Sequence, residues 1–221
     1  MPRSVIFDID GTLIDSVDAH AKAWQSAFAE FGHNIPFDRL RAQIGKGGDQ
    51  LLPVFLSNEE LERIGQQLDD FRNRHFKRDY LPGLRAFPGV QQLFERCARA
   101  GLRIALASSA KGDELETYKR KAGIEDLVAA ETSSDDAERS KPHPDIFEAA
   151  LERLEMPAAE AIVVGDSPYD AEAAGKLRLR TIGLRCGGFP ETDLLAAGCM
   201  AIYDGPLDLC EQFDASPLAA R

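Results

Sequence analysis

The stretch SVIFDIDGTLIDS, residues 4–16, decides the fold. Its run of three apolar residues, which starts at Val5, breaks directly into Asp8, Ile9 and Asp10. A short apolar run bounded by polar residues and glycine is typical of a buried parallel strand. Because residues i and i+2 of an extended chain lie on the same face, Asp8 and Asp10 are expected to point the same way. The stretch therefore predicts a buried strand that ends in two neighbouring carboxylates.

Four more apolar runs have the same pattern, and amphipathic helical patterns separate them. This alternation indicates βαβ units and a parallel sheet. Two of the helices, 88–100 and 144–156, have a proline at or near their start, where proline is well tolerated. The predicted strands are 5–7, 104–107, 162–164, 181–184 and, with the weakest pattern, 201–203.

A long insertion interrupts the alternation. The first two predicted strands are separated by about 95 residues, far more than an ordinary crossover requires. Residues 16–32 and 57–80 read as amphipathic helices, and the second begins with a capping box at Ser57. We therefore predict an α/β core, residues 1–15 and 82–221, with an all-helical cap subdomain, residues 16–81, inserted into it. The tail after Gln212 is expected to fray.

Composition and charge exclude several classes of partner. The 221 residues carry 26 basic and 37 acidic side chains, a net charge of -11, which disfavours binding to nucleic acid or to an anionic membrane surface. No stretch approaches the roughly 20 apolar residues of a membrane span, and the first apolar run is too short for a signal peptide. The cysteines form no CxxC pair, so we expect reduced thiols in a cytoplasmic protein. They are Cys97, Cys186, Cys199 and Cys210.

Polar residues follow the ends of the first three predicted strands. Ligands of an open parallel sheet bind at the carboxyl ends of its strands, so these side chains are candidates for one site. A lysine in the loop before the third strand adds a positive charge. The candidates are Asp8, Asp10, Ser108, Ser109, Lys141, Asp166 and Asp170.

This set of side chains fits phosphoryl chemistry. Two adjacent carboxylates repel each other unless a cation shares them or one is protonated, and Mg²⁺ prefers such oxygen ligands. Lys141 and the Ser108 hydroxyl offer a positive charge and a hydrogen-bond donor to a phosphoryl group. One carboxylate of the pair can serve as nucleophile and the other as general acid or base. Each motif alone also fits a turn or a helix cap, so the ordered set carries the prediction.

The ordered set resembles the four motifs of the haloacid dehalogenase superfamily, over essentially the whole chain. The resemblance implies a Rossmann-like core with a helical cap inserted after the first motif. The matching segments are Asp8-Ile9-Asp10-Gly11-Thr12-Leu13, Ala107-Ser108-Ser109, Lys141-Pro142 and Gly165-Asp166-Ser167-Pro168-Tyr169-Asp170.

The resemblance also implies a role for each residue. Asp8 is expected to be the nucleophile that becomes an aspartyl phosphate, and Asp10 the general acid/base. Ser108 and Lys141 are expected to hold the phosphate. The implied ligands of Mg²⁺ are Asp8, the backbone carbonyl of Asp10, Asp166 and, in support, Asp170. Because the dehalogenases of the superfamily lack the second aspartate and need no metal, Asp10 favours a Mg²⁺-dependent phosphatase of a small phosphorylated metabolite, such as phosphoglycolate or a sugar phosphate.

Residues of the predicted cap are candidates for binding the leaving group of the substrate. The glycine-rich loop 44–49 resembles the cap substrate loop of phosphoglycolate phosphatases and β-phosphoglucomutases, although a flexible helix connection fits it equally well. His20 matches a histidine of the same enzymes, and it also fits local packing. The candidate substrate-binding residues are Thr12, His20, Lys46, Gly47, Arg72 and Ser109.

Two alternatives remain beside the phosphatase. A β-phosphoglucomutase would use a cap-loop arginine to grip a second phosphate, whereas this loop has Gly48-Asp49 there. A phospho-accepting signalling domain, like a response-regulator receiver, uses a similar set of groups, but it is shorter and has no inserted cap. We expect a small phosphorylated metabolite as the partner, and a protein that is a monomer or a weak homodimer.

Overall fold

Six parallel strands form one sheet at the centre of the computed structural model, which describes residues 2–219. The strand order is β3-β2-β1-β4-β5-β6. The strand that contains the opening apolar run, β1, therefore lies inside the sheet, between β2 and β4. The strands are β1 Ser4–Phe7, β2 Arg103–Ala107, β3 Ala130–Thr132, β4 Ala161–Gly165, β5 Arg180–Leu184 and β6 Cys199–Tyr203. The predicted α/β fold with a parallel sheet is confirmed.

Helices cover the sheet and fill the long insertion between β1 and β2. Those of the insertion are α1 Val17–Glu30, α2 Phe37–Arg41, α3 Gly48–Leu51, α4 Asn58–Glu60 and α5 Gln66–Asp79. Those that follow are α6 Val90–Arg99, α7 Gly112–Ala122, α8 Asp145–Leu154, α9 Pro168–Lys176, α10 Glu191–Ala196 and α11 Pro206–Glu211. In the part of the chain that the structure describes, no helix combines the length and the apolar character that a membrane crossing needs.

The register of the sheet brings three strand ends level with one another. Phe7, the last residue of β1, pairs with Leu106 of β2 and with Val164 of β4. The polar residues that follow these strands therefore emerge at one edge of the sheet, as a parallel arrangement requires.

The helices between β1 and β2 have a hydrophobic core of their own. Trp24, Phe28 and Leu51 are among its buried members, which include no residue of the sheet. The capping box at Ser57 is present, because the Ser57 hydroxyl accepts from the backbone of Glu60 and the Glu60 carboxylate accepts from the backbone of Ser57. The helix that begins there has a π-helical turn, Leu61–Gly65, between α4 and α5. The division of the chain into a core and a 16–81 cap stays a prediction.

The strand β3 is missing from the sequence prediction. It has three residues, pairs only with β2 and lies at the edge of the sheet, so two of its three residues remain partly exposed. Its sequence, Ala-Glu-Thr, contains no apolar run. An edge strand needs no apolar run because it is not buried on both faces, and the search for buried runs could not find it.

The expectation that the tail after Gln212 frays is wrong for its described part. Phe213, Ser216 and Leu218 are each 2–3% exposed, and Phe213 and Leu218 join the hydrophobic core between the sheet and α6. The Arg96 guanidinium of α6 lies 4.8 Å from the centre of the Phe213 ring. Burial of these apolar side chains outweighs the tail's polar and proline-bearing composition.

Phe213→Ala should lower the free energy of unfolding by about 3 kcal/mol, because it leaves a cavity where a buried aromatic side chain packs. Met200→Ala, which truncates a side chain that is 49% exposed, is the matched control and should change the free energy by no more than about 0.5 kcal/mol. Denaturant unfolding of both variants measures the difference. Equal, small effects would mean that the tail does not pack in solution.

Candidate active site

Three buried carboxylates lie close together at the carboxyl ends of β1 and β4. Asp8 follows β1, Asp166 follows β4, and Asp170 lies in the first turn of α9. Each offers an oxygen within 4.8 Å of the other two, and none is more than 4% exposed. Asp170 is held in place by the cap of α9, where its carboxylate accepts from the Ser167 hydroxyl at 2.7 Å and from the Ser167 backbone at 3.1 Å.

One lysine and one threonine bind this carboxylate cluster. The Lys141 ammonium donates to Asp8 and, at 2.8 Å, to Asp170. The Thr12 hydroxyl lies 3.0 Å from an oxygen of Asp8 and 3.0 Å from one of Asp166. A hydroxyl has one hydrogen to donate, so Thr12 can satisfy only one of these carboxylates at a time. Predicted as substrate-binding, Thr12 is fully buried and contacts the carboxylates instead.

The cluster carries more negative charge than its protein partners balance. Burial raises the pKa of Asp8 to about 7, although Lys141 opposes the rise. Burial and the neighbouring Asp8 and Asp170 carboxylates raise the pKa of Asp166 well above its usual range. Asp170 and Asp8 together raise the pKa of Lys141 against the effect of its burial, so the ammonium stays charged. One lysine therefore faces three carboxylates.

These residues fit a divalent cation. Mg²⁺ prefers oxygen ligands such as carboxylates. A bound cation would also neutralise the negative charge that Lys141 does not balance. Asp8, Asp166 and Asp170 would hold the ion. The carboxylate of Asp10 lies outside this cluster, and the prediction for Asp10 concerned its backbone carbonyl.

Asp10 lies in a different electrostatic environment from Asp8. Because β1 ends at Phe7, the two aspartates lie beyond the strand, where the extended spacing no longer fixes their side chains to one direction. Both still line the same cleft. The Asp10 carboxylate accepts from Ser16 at 2.6 Å and contacts His20 Nε2 at 2.8 Å. Burial alone would raise the pKa of Asp10, but His20 and Ser16 lower it to about 2.

His20 is fixed by residues of α5. The Arg72 guanidinium lies 2.9 Å from His20 Nδ1. Since arginine can only donate, Nδ1 accepts, and the hydrogen on Nε2 points to Asp10. The His20 ring stacks on Phe76 with a centroid separation of 4.0 Å, and the Arg72 guanidinium lies 4.9 Å from the centre of the Trp24 ring. Arg72, predicted to bind substrate, thus lines the cleft while it supports His20.

Eight of the twelve predicted site residues line one cleft of about 280 Å³ between the sheet edge and the inserted helices, whereas Thr12, Ser108, Asp166 and Asp170 are not among its lining residues. Ser108 is fully buried, and its hydroxyl accepts from the backbone N–H of Ala110 at 3.0 Å. Ser109 lines the cleft itself. The predicted site residues among its lining are Asp8, Asp10, His20, Lys46, Gly47, Arg72, Ser109 and Lys141.

The glycine-rich loop 44–49 packs closely on the core. A Cβ atom added to Gly47 would lie 2.0 Å from the Ser140 hydroxyl oxygen, so only glycine allows this approach. The Asp49 carboxylate accepts from the backbone N–H of Ser140 at 3.1 Å. The Lys46 ammonium donates to Gln43 at 2.7 Å and lies 4.7 Å from the centre of the Tyr169 ring. The loop is therefore a contact between the inserted helices and the core, beside Lys141.

One site residue that sequence reasoning missed is Gly187. It is buried after β5, and a Cβ atom there would lie 1.7 Å from a carboxylate oxygen of Asp166. A side chain at this position would displace Asp166. The Gly187-Gly188 pair, which follows the fourth predicted strand after Arg185 and Cys186, was the signal that could have indicated a close approach.

Comparison with known proteins decides the family. The family model described as haloacid dehalogenase-like hydrolase matches residues 5–184, which span the insertion and all four motifs. The chain is a haloacid dehalogenase-like hydrolase. The family resemblance and the predicted enzyme class, a hydrolase of phosphoric monoesters, are confirmed.

Relatives of this hydrolase include proteins of very different length. It is 30% identical over 189 residues to phosphoglycolate phosphatase of Yersinia pestis, which covers 84% of this chain and 82% of that one. It is 32% identical over 190 residues to Protein SUPPRESSOR OF QUENCHING 1, chloroplastic, of Arabidopsis thaliana, where the match covers 82% of this chain but only 18% of the relative. A solved structure, a hydrolase from Pseudomonas syringae, matches with a TM-score of 0.87 and 28% identity over 96% of this chain and 98% of that chain.

Gly187→Ala in this hydrolase should weaken Mg²⁺ binding by about tenfold or more, because the added methyl group displaces the Asp166 carboxylate. Gly175→Ala is the matched control, since a Cβ atom there in α9 meets nothing within 4 Å. Isothermal titration with Mg²⁺ measures both affinities. Unchanged affinity in Gly187→Ala would show that Asp166 does not hold the ion.

Proposed function

We propose that this hydrolase is a Mg²⁺-dependent phosphatase that removes the phosphoryl group of a small metabolite through a phosphorylated Asp8. The observation that carries the proposal is the buried group of three carboxylates, for which Lys141 is the one cationic partner among residues 2–219, beside a cleft that also contains Asp10. When bound, Mg²⁺ would neutralise negative charge between the carboxylates and the incoming phosphate.

Asp8 is the better nucleophile of the two front aspartates. Lys141 and Thr12 contact different oxygens of its carboxylate and so fix its orientation toward the cleft. Asp10, by contrast, is bound to Ser16 and His20. Attack by an Asp8 oxygen on phosphorus breaks the bond to the leaving oxygen and gives an acyl phosphate. Lys141, Ser108 and Ser109 are the proposed partners of the phosphoryl oxygens.

Asp10 is suited to move the proton. In the first step it would donate a proton to the leaving oxygen, and in the second it would take one from the water that attacks the phosphorylated Asp8. His20 and Ser16 favour the carboxylate form, which the second step needs. A phosphate bound beside Asp10 raises its pKa, because a like charge disfavours ionisation, and this supports the acid form that the first step needs.

The cleft and the relatives support a small substrate. A volume of about 280 Å³ accommodates a short phosphorylated metabolite, and the glycine-rich loop 44–49 forms part of the cleft wall. One relative at 30% identity is a phosphoglycolate phosphatase. Phosphoglycolate or a sugar phosphate is therefore the proposed substrate class. A cytoplasmic location and a monomeric or weakly dimeric state stay predictions.

The contacts of Asp49 favour hydrolysis over the mutase reaction. A mutase must hold a second phosphate firmly, and a bidentate arginine suits that task. Here the corresponding residue is an aspartate, bound to the Ser140 backbone and lining the cleft. Its negative charge disfavours a distal phosphate, so water is the proposed acceptor of the phosphoryl group.

Asp8→Asn should abolish turnover and leave no phosphoenzyme, because the amide is not a nucleophile. Asp10→Asn should slow turnover by about 10²–10⁴-fold, since it removes proton transfer but keeps the nucleophile. Acid-quenched reactions with ³²P-labelled ester and Mg²⁺ would measure both the released phosphate and the label on the protein.

Three outcomes would contradict the proposal. Substantial turnover by Asp8→Asn, or full wild-type activity after the protein is stripped of metal and kept in excess chelator, would exclude it. With β-glucose 1-phosphate and a trace of the 1,6-bisphosphate, efficient formation of glucose 6-phosphate with little free phosphate would indicate the mutase instead.

A further inference from the structure

A buried carboxylate in the wall of the cleft has no part in the reaction described above. Glu114 lies in the first turn of α7, is 2% exposed, and lines the cleft together with Asp10, His20 and Arg72. Burial raises the pKa of Glu114, the charge of Arg72 opposes the rise, and the charge of Asp10 adds to it. Glu114 is therefore close to the group that would protonate the leaving oxygen.

Glu114 has acceptor capacity that the protein leaves unused. Its ion-pair partner within residues 2–219 is Lys77 of α5, whose ammonium lies 3.5 Å from Oε1. The same ammonium donates to both oxygens of Asp113, at 2.9 and 2.7 Å, so it is mainly committed there. A buried carboxylate without a short hydrogen bond is costly, and a donor in the cleft would remove that cost.

The cations of the cleft offset the charge of Glu114 only in part, since the charge of Arg72 lowers its pKa but burial keeps it raised. The Arg72 guanidinium donates to His20 and to Asn73 and stacks on Trp24. Lys46 and Lys111 also line the cleft, and among the described residues neither forms an ion pair with Glu114. A substrate carboxylate at this wall would meet a like charge, whereas a hydroxyl would find an acceptor.

We propose that Glu114 determines the substrate class by accepting a hydrogen bond from a hydroxyl group next to the phosphoester and by repelling a carboxylate at the same place. The enzyme would therefore prefer phosphate esters of polyols to phosphate esters of hydroxy acids. The inference rests on the proposed phosphatase function and narrows its substrate. Discrimination of this kind combines an attraction to one ligand with a repulsion of its competitor.

A matched pair of substrates tests this inference. 2-Hydroxyethyl phosphate and 2-phosphoglycolate have the same carbon skeleton and differ only in a CH₂OH group against a carboxylate. The wild-type enzyme with Mg²⁺ should have a kcat/KM about tenfold or more higher for 2-hydroxyethyl phosphate. Glu114→Gln keeps the shape and an acceptor oxygen but loses the charge, so it should raise kcat/KM for 2-phosphoglycolate about tenfold and change the other substrate much less.

Glu116→Gln is the control variant, because Glu116 lies in the same helix α7 and loses the same charge but does not line the cleft. It should leave the ratio of the two substrates unchanged. A wild-type preference for 2-phosphoglycolate, an equal change for both substrates in Glu114→Gln, or the same shift in Glu116→Gln would each overturn the role of Glu114. Turnover of p-nitrophenyl phosphate separates the two proposals, since its complete absence with Mg²⁺ would reject the phosphatase function itself.

Discussion

The structure depends on one electrostatic constraint: three carboxylates and one lysine are buried together where the central strands end. A buried ion pair stabilises a protein only if the attraction between the two charges exceeds the free energy lost when they leave water. Lys141 offsets part of that cost through its bonds to Asp8 and Asp170, whereas the Asp166 carboxylate, among the described residues, has only the shared hydroxyl of Thr12. The pKa of Asp8, raised from 3.8 to about 7, means that the metal-free folded state binds more protons than the unfolded chain. The contribution of Asp8 to stability therefore falls as the pH rises from about 4 to about 7.

The pKa values of Asp8 and Asp10 shift in opposite directions because the two aspartates contact different parts of the fold. Asp8 is surrounded by groups of the sheet edge, whereas Asp10 contacts His20 of α1, which is itself held by Arg72 of α5. The inserted helices thus complete the environment of Asp10, and contacts such as Asp49 with Ser140 and Lys77 with Asp113 bring them onto the core. The proposed nucleophile and the proposed acid/base are thus distinguished by environment rather than by residue type.

The sequence predicted what local pattern controls. Burial and capping leave periodic or paired patterns in the sequence. These patterns predicted the buried strands, the capping box at Ser57 and the polar residues after each strand end. It could not predict β3, whose edge position needs no apolar run, nor the packing of Phe213, which depends on α6 far away in the chain. Gly187 and Glu114 were missed for a similar reason. Their roles come from close approach to Asp166 and from the cleft wall, and neither leaves a local pattern in the sequence.

The central claim is that the carboxylate cluster is a metal site whose charge the protein alone leaves unbalanced. The most direct measurement is denaturant unfolding of the wild type and of Asp166→Asn, each with and without Mg²⁺. Without metal, Asp166→Asn should be more stable than the wild type by about 1 kcal/mol or more, because the substitution removes a carboxyl group whose ionisation the folded state disfavours and keeps the acceptor for Thr12. Mg²⁺ should then stabilise the wild type strongly and the variant little. A metal-free variant less stable than the wild type, or equal stabilisation of both proteins by Mg²⁺, would contradict the account.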